Sequence, residues 1–297
     1  MNGREKGFLL LTSQLGNPER KPLTVAQFRT LTSRVRSSVK PEKDRELIAE
    51  DLINLGYSRE MAGRILSLLG EQKLLEYYLN LGKRCGCIPI TRAGEGYPLS
   101  VRRHLGDDSP GCLWAKGDVS FLREPCIALV GSRDLREKNR KFAEEVGLQA
   151  AKQGFVLVSG NARGSDKAAQ EACLRAGGRV ICVVADSLEK QKENNSVLYL
   201  SEDGFNNAFS ALRALSRNRV IHCLGKATFV TQASLHMGGT WDGTVRNLKA
   251  GWTKVLCFDD GSQAIAELEQ MGAQLVTMDQ LTDLHPLLKD TVSLFDC

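Results

Sequence analysis

The chain has 297 residues, with 40 Lys+Arg against 35 Asp+Glu and a hydrophobic fraction of 42%. That is enough chain for two domains or one large α/β unit with a substantial core, and the composition excludes a predominantly disordered protein. No apolar run approaches the roughly twenty residues of a membrane span, and Met1-Asn-Gly-Arg-Glu-Lys-Gly lacks the apolar core and cleavage site of an export signal, so a cytoplasmic protein without membrane contact is expected.

From about Leu23 to Gly82 the apolar spacing predicts helices. Thr24 is placed to cap a helix carrying Val25, Phe28, Leu31 and Val35. Leu47, Ile48, Leu52, Ile53 and Leu55 form a second, ended by Gly56, and Ser58 is placed to cap a third carrying Met61, Ile65, Leu66 and Leu69. Pro41-Glu-Lys-Asp separates the first two. The turn between Leu55 and Arg64 fits either a DNA-backbone-gripping helical hairpin or an ordinary bundle joined by capped turns. Residues 1–84 are therefore read as a small helical domain.

Residues 85–124 change character. Pro and Gly punctuation around short apolar runs (Ile88-Pro-Ile, Tyr97-Pro98, Pro110-Gly111) predicts a connecting segment with one or two short strands. Cys85-Gly-Cys87 is too closely spaced for a zinc knuckle and has no matching pair elsewhere. The nine cysteines lie mostly in apolar contexts, as reduced thiols packed in a cytoplasmic protein do. No metal or cofactor is expected.

From Cys126 onward strands and helices alternate. Strands are predicted at 126–131, 155–159, 179–184, 227–232 and 254–258, with 273–277 as an edge strand. Helices are predicted at Arg136–Gln153, Lys167–Ala176, Ala208–Leu224 and Thr244–Gly251. This alternation predicts an α/β fold over residues 125–297: a doubly wound, mostly parallel sheet with its binding crevice at the carboxyl ends of the strands. The first 124 residues hold 20 Lys+Arg and 15 Asp+Glu, leaving 20 of each for the rest. A polyanion on the sheet must then be held by a local cluster rather than by bulk charge.

Three loops supply such a cluster. Gly131-Ser132-Arg133 leaves the first strand. Ser159-Gly160-Asn161-Ala162-Arg163-Gly164-Ser165-Asp166 leaves the second, with Asp166 assigned to capping or to Arg133 or Arg163. His236-Met-Gly238-Gly239-Thr240 opens a helix after the fourth. Arg217-Asn218-Arg219 lies on a helix, where arginines at i and i+2 do not share a face, so one faces a phosphate row while the other braces the sheet or a carboxylate. GxGxxG and its ribose-binding acid are absent, as is the Walker A motif, which argues against an NAD enzyme or a P-loop ATPase. None of His104, His222, His236 and His285 has a defensible Ser/Cys and carboxylate arrangement. His222 reads as a core or interface histidine.

These residues in this order resemble the DNA-processing protein A (DprA/Smf) family. The resemblance runs from Ile90-Thr91 and Gly96-Tyr97-Pro98-Leu99 through Leu113-Trp114-Ala115-Lys116-Gly117, Ala128-Leu129-Val130-Gly131-Ser132-Arg133, the Ser159–Asp166 loop, Gly177-Gly178 and Arg217-Asn218-Arg219 to Met271-Gly272-Ala273. It implies an extended Rossmann-like domain behind a SAM-like helical domain. It also implies a single-stranded-DNA pocket lined by Gly131, Ser132, Arg133, Ser159, Gly160, Arg163 and Gly164, with Arg217, Asn218 and Arg219 nearby. Homodimerisation, and delivery of DNA to the RecA recombinase in transformation or recombination, would follow. The chain departs from the family pattern at Gln170, where His is usual, at Gln232, where an acid is usual, at Gly238-Gly239 in place of Ser-Gly, and over 185–194. No C-terminal winged helix is expected after the sheet.

The leading reading is thus a binding protein with no catalytic residues, its site formed by Gly131, Ser132, Arg133, Ser159, Gly160, Arg163, Gly164, Arg217, Asn218, Arg219, Gly238, Gly239 and Thr240. One alternative is a sensor of a small nucleotide signal in the same crevice. Another is a lonely-guy-type phosphoribohydrolase; Gly243-Thr244 fits its motif, but Asn247 stands where that enzyme places its glutamate.

Overall fold

A computed structural model of the chain describes residues 1–37, 47–202 and 204–289. Five helices come first: α1 (Gly3–Thr12), α2 (Val25–Ser37), α3 (Ala49–Asn54), α4 (Arg59–Gly70) and α5 (Gln72–Arg84). Their ends follow local chemistry. Asn2 and Glu5 close a reciprocal capping box on α1, Thr24 accepts from the Gln27 amide, and Ser58 accepts from the Met61 amide. Gly56, at φ +83°, lets the chain turn between α3 and α4. The break expected at Pro41–Asp44 lies outside the described residues. Helix α1 has no counterpart among the helices expected from the sequence, because Phe8-Leu-Leu-Leu11 is a solid apolar run whose period is illegible.

The remaining elements form one sheet and its cover: β1 (Cys87–Thr91), α6 (Leu99–Leu105), β2 (Cys112–Lys116), β3 (Cys126–Val130), α7 (Glu137–Lys152), β4 (Val156–Ser159), α8 (Ser165–Arg175), β5 (Val180–Val183), β6 (Val197–Glu202), α9 (Ala211–Leu224), β7 (Ala227–Val230), α10 (Gly238–Ala250), β8 (Lys254–Phe258), α11 (Gln263–Gln270), β9 (Gln274–Val276) and α12 (His285–Leu288). The nine strands are ordered β1-β2-β6-β5-β4-β3-β7-β8-β9. From β6 to β9 every pairing is parallel, while β2 joins β6, and β1 joins β2, antiparallel. The expected α/β, mostly parallel sheet is present, with β9 at the predicted edge. The 85–124 stretch supplies β1 and β2, which widen the sheet.

Strand β6 was not anticipated by the pattern reading. It follows β5 through a loop with a single short 3-10 turn (Leu188–Lys190) rather than a helix, so strand–helix alternation gives no cue for it.

Side chains alternate between the two faces of the central strands. Ile127 and Leu129 of β3 point toward Phe142, Val146 and Ala169, while Ala128 and Val130 point toward Val220, Cys223, Trp241 and Ile265. Helices cover both faces, as a parallel sheet requires. The N-terminal helices keep a small core of their own around Leu31, Leu52, Ile65 and Leu68. They also feed Leu9, Leu10, Leu75 and Tyr78 into the first core beside Trp114 and Phe205. Full burial of a leucine side chain is worth about 1.5–3 kcal/mol, so this seam is a major attachment.

The strand order reverses between β3 and β7. Chain leaving β3 moves to β4 on one side, and β7 returns to the other, which opens a crevice beyond their carboxyl ends.

Candidate functional site

A cleft of about 530 Å³ occupies that switch point. Its walls come from the loop after β3 (Gly131, Ser132, Arg133), the loop after β7 with the start of α10 (Gln232, Ser234, Met237, Gly238, Gly239, Thr240), and one side of α9 (Ala211, Ala214, Leu215, Arg217, Asn218). Ala162, Asp166 and Phe209 complete it.

The first loop is held rigidly from behind. Ser132 N–H donates to the Gln232 carbonyl, and the Ser132 carbonyl accepts from both the amide and the hydroxyl of Ser165. The Ser165 and Thr231 hydroxyls meet at 2.6 Å, in the space a Cβ on Gly131 would occupy. Gln232 bridges the loop: its Nε2 donates to the Asp134 carbonyl at 3.0 Å and its Oε1 accepts from Arg136 N–H at 3.1 Å. A carboxylate at this position cannot make the first bond, which accounts physically for glutamine here.

The second loop is engaged internally. Gly160 N–H and Ala162 N–H both donate to Asp166 Oδ2 at 3.1 Å, so two of the amides expected to face a phosphate already hold a carboxylate. Gln170 Nε2 donates to the buried Ser159 hydroxyl. Gly160 carries no Cβ because the Arg217 guanidinium lies directly over it, and Gly164, at φ +81°, packs on the Ser132 and Arg133 carbonyls. Ser159, Gly160 and Gly164 thus form the support behind the cleft rather than its lining. Arg163 is exposed at the surface, 3.7 Å from Asp134.

Arg217 is the unusual group. It is only 9% exposed, its Nε has no hydrogen-bond partner, and among the described residues its guanidinium makes no hydrogen bond or ion pair. Burial pushes its pKa down while the charge of nearby Asp166 pushes it back up. Burial raises the Asp166 pKa in turn, opposed by Arg217, the Ala162 and Gly160 amides and Arg133. A guanidinium stays charged in a protein, so the cleft floor carries a largely desolvated cation with open donors. Arg133 stands exposed at the rim, also without an ion pair among the described residues.

Opposite Arg217, α10 begins at Gly238 with no side-chain cap from Met237. The first amides of a helix have no intrahelical acceptor, so Gly238, Gly239 and Thr240 present N–H groups and the positive dipole end at the cleft. Asn218 Nδ2 donates to the Gly239 carbonyl at 3.0 Å and fixes this turn against α9.

Arg219 points elsewhere, as i, i+2 spacing on a helix requires. Its Nη2 pairs with buried Glu202 at 3.1 Å and its Nη1 donates to the Asp108 carbonyl, so it ties α9 to β6 and to the turn after α6. Of the candidate residues, the cleft therefore gathers Gly131, Ser132, Arg133, Arg217, Asn218, Gly238, Gly239 and Thr240. Ser159, Gly160, Arg163, Gly164 and Arg219 stand outside it.

Sequence reading missed the apolar wall. Phe209, Leu215 and Met237 line the cleft yet are 57%, 42% and 69% exposed. One signal was available: Ala211, Ala214, Leu215 and Asn218 follow i, i+3, i+4, i+7 spacing, which marks one face of α9. His222 is buried beneath it, its Nδ1 3.0 Å from the Thr228 hydroxyl and 3.1 Å from Asn247 Nδ2, and burial drives its pKa down to about 3. Asn247 is itself buried, with its Oδ1 accepting from Thr253 N–H. Among the described residues, Asp166 is the only carboxylate lining the cleft.

Residues 89–284 match the family described as DNA recombination-mediator protein A. The chain belongs to that family. Among curated members it is 32% identical over 186 residues to the DNA processing protein DprA of Streptococcus pneumoniae, covering 58% of this chain and 66% of that one. It is 28% identical over 162 residues to the Bacillus subtilis DprA, covering 51% and 53%. The chain thus spans about half to two-thirds of the length of these family members. Its fold is similar to that of the S. pneumoniae DprA crystal structure, with a TM-score of 0.73, 24% identity, and 95% and 98% of the two chains covered. It is also similar to a Helicobacter pylori DNA processing protein A structure described for its single-stranded DNA binding mode, with a TM-score of 0.56, 21% identity, and 68% and 95% covered. The family match takes in β1 through β9 and leaves α1 to α5 outside it.

Proposed function

We propose that the cleft binds single-stranded DNA, with a phosphate held between Arg217 and the opening amides of α10 and a base laid against Phe209, Leu215 and Met237. The observation that carries this reading is the buried guanidinium of Arg217, which has no hydrogen-bond partner among the described residues and whose desolvation, offset in part by the Asp166 charge, an anion in the cleft would offset further. Arg133 at the rim adds a second phosphate contact. The apolar wall suits a nucleobase of any kind, because every base has a face to stack, so binding is sequence-tolerant. The DNA-binding description of the H. pylori relative supports the same reading.

The role is that of a recombination mediator, binding rather than catalytic, that protects single strands and passes them to a RecA-type recombinase as a homodimer. Asp166, the only carboxylate of the cleft among the described residues, is held by two amides, a poor arrangement for a general base. The eight cysteines among the described residues are free thiols, which supports a cytoplasmic location, and no described helix is long and apolar enough to cross a membrane. Residues 1–84 act in this scheme as a helical domain attached to the sheet. The homodimer is checked by light scattering, and RecA delivery by the rate of RecA filament formation on coated single strands.

A second reading keeps the cleft and changes the ligand. Its volume suits one nucleotide, so a mononucleotide signal is the competing occupant. Fluorescence anisotropy with oligo-dT of increasing length, competed by mononucleotides, separates them. Length-dependent, salt-sensitive binding supports single-stranded DNA, whereas tight mononucleotide binding without length dependence supports the sensor.

A further inference from the structure

Away from the cleft, the outer side of α5 combines unengaged cations with an open aromatic ring. Lys73, Tyr77, Asn80 and Arg84 fall at i, i+4, i+7 and i+11, one stripe along the helix, and Lys83 sits beside Arg84. All five are exposed, and Tyr77 keeps 61% of its surface open. Its neighbour Tyr78 turns inward instead, 2% exposed against Trp114 and Phe205, and donates to Asn206 Oδ1 at 2.8 Å.

Among the described residues, Lys73, Lys83 and Arg84 make no ion pair and no side-chain hydrogen bond. Some cations elsewhere in the helical region are engaged, while Arg4, Lys6, Arg36 and Arg59 are scattered without an exposed ring on their own face. Arg29 pairs with Asp107 and Asp108, Arg20 with Glu71, and Arg34 lies over the Tyr57 ring and donates to the Gly56 carbonyl. Glu76 is the only carboxylate on α5. Tyr77, Asn80, Lys83 and Arg84 together line a shallow depression.

We propose that this face of α5 is a second contact for single-stranded nucleic acid, its cations meeting phosphates and Tyr77 stacking on a base. Positive charge interleaved with an exposed ring is the arrangement that holds a single strand without sequence preference. The inference rests on the reading of the cleft as a DNA site, because the two surfaces are close enough for one strand to engage both. Asn206, bonded to Tyr78, is followed three residues later by Phe209 at the cleft rim. Three residues reach at most about 11 Å and a helix is about 10–12 Å across, so the stripe and the cleft lie within about 30 Å. At about 3.4 Å per nucleotide, roughly ten nucleotides reach from one to the other.

The test uses the full chain, with oligo-dT of about six and about thirty nucleotides, and compares Lys83→Ala/Arg84→Ala, Tyr77→Ala and Arg217→Ala. The exposed α5 substitutions are expected to leave thermal stability unchanged, which confirms folding. Short-oligonucleotide affinity stays at the wild-type value in both α5 variants. Long-oligonucleotide affinity falls about tenfold in the double variant, with a salt slope shallower by about 1.4, and about fivefold or more in Tyr77→Ala with the slope unchanged. Unchanged long-strand affinity and slope in both overturns the proposal. So does loss of binding to anionic phospholipid vesicles in the double variant while DNA affinity stays intact. Arg217→Ala isolates the other reading: wild-type short-strand affinity in that variant counts against the cleft alone.

Discussion

The loop after β4 and the start of α10 look alike in sequence, each a glycine-bearing turn leading into a helix at the carboxyl edge of the sheet, yet their donors end in opposite states. After β4 the Gly160 and Ala162 amides converge on Asp166 and are closed to solvent anions. At α10 no side chain caps the opening amides, and Arg217 stands across from them without a partner. The difference teaches that glycine and arginine content marks where an anion could fit, whereas the donors left unengaged mark where the proposed phosphate site has bonds to offer.

Disturbing the two sides in turn should give separable results. Arg217→Ala is expected to weaken single-stranded DNA binding by about 1.5–3 kcal/mol, the worth of a hydrogen bond to a charged group, with a shallower salt slope in anisotropy titrations. Asp166→Asn should act on the other side. It removes a buried charge-assisted acceptor from two amides and is expected to lower unfolding free energy by about 1.5–3 kcal/mol in urea while leaving DNA affinity at or above wild type. If Asp166→Asn instead loses affinity as Arg217→Ala does, the two loops are not distinct.

His222, below the α10 side of the cleft, offers a test by pH. Its folded pKa lies near 3, below the usual imidazole value near 6.5, so between those values the unfolded chain binds a proton that the folded chain does not. Its contribution to stability is complete above about pH 6.5 and is lost as pH falls toward 3, at about 1.4 kcal/mol per pH unit within the window. Chemical denaturation at pH 6 and pH 5 should show a smaller drop for His222→Gln than for wild type by about that amount. Equal drops would mean that His222 charges in place. The smallest effect belongs to Arg163→Ala. Its exposed side chain lies outside the cleft, so affinity should stay within about 0.5 kcal/mol of wild type.

Much of this architecture was legible in the sequence because the central strands carry strong apolar runs and clear alternation. The parallel sheet, its edge at β9 and the loop at Gly131–Arg133 followed from pattern alone. The pattern failed where a period was absent or an element lacked its usual neighbour. Helix α1 hides in Phe8–Leu11, and β6 follows a loop instead of a helix. At the site, residue type pointed to the region but could not say which groups engage each other. Ser159 and Gly164 resemble ligand contacts until Gln170 and the Ser132 carbonyl are seen against them. Arg217 and Arg219 differ only in the helix face they occupy. Phe209 fell inside the expected helix Ala208–Leu224, whereas the helix starts at Ala211 and leaves Phe209 in the loop before it, at the cleft.

Paired salt titrations of oligo-dT binding to Arg217→Ala and Arg163→Ala test the central claim most directly. The predicted result is a shallower slope of log affinity against log salt, with weaker binding, for Arg217→Ala alone, and a wild-type slope for Arg163→Ala. A wild-type slope and affinity in folded Arg217→Ala, with the loss appearing in Arg163→Ala, would contradict it and move the phosphate site to the loop after β4.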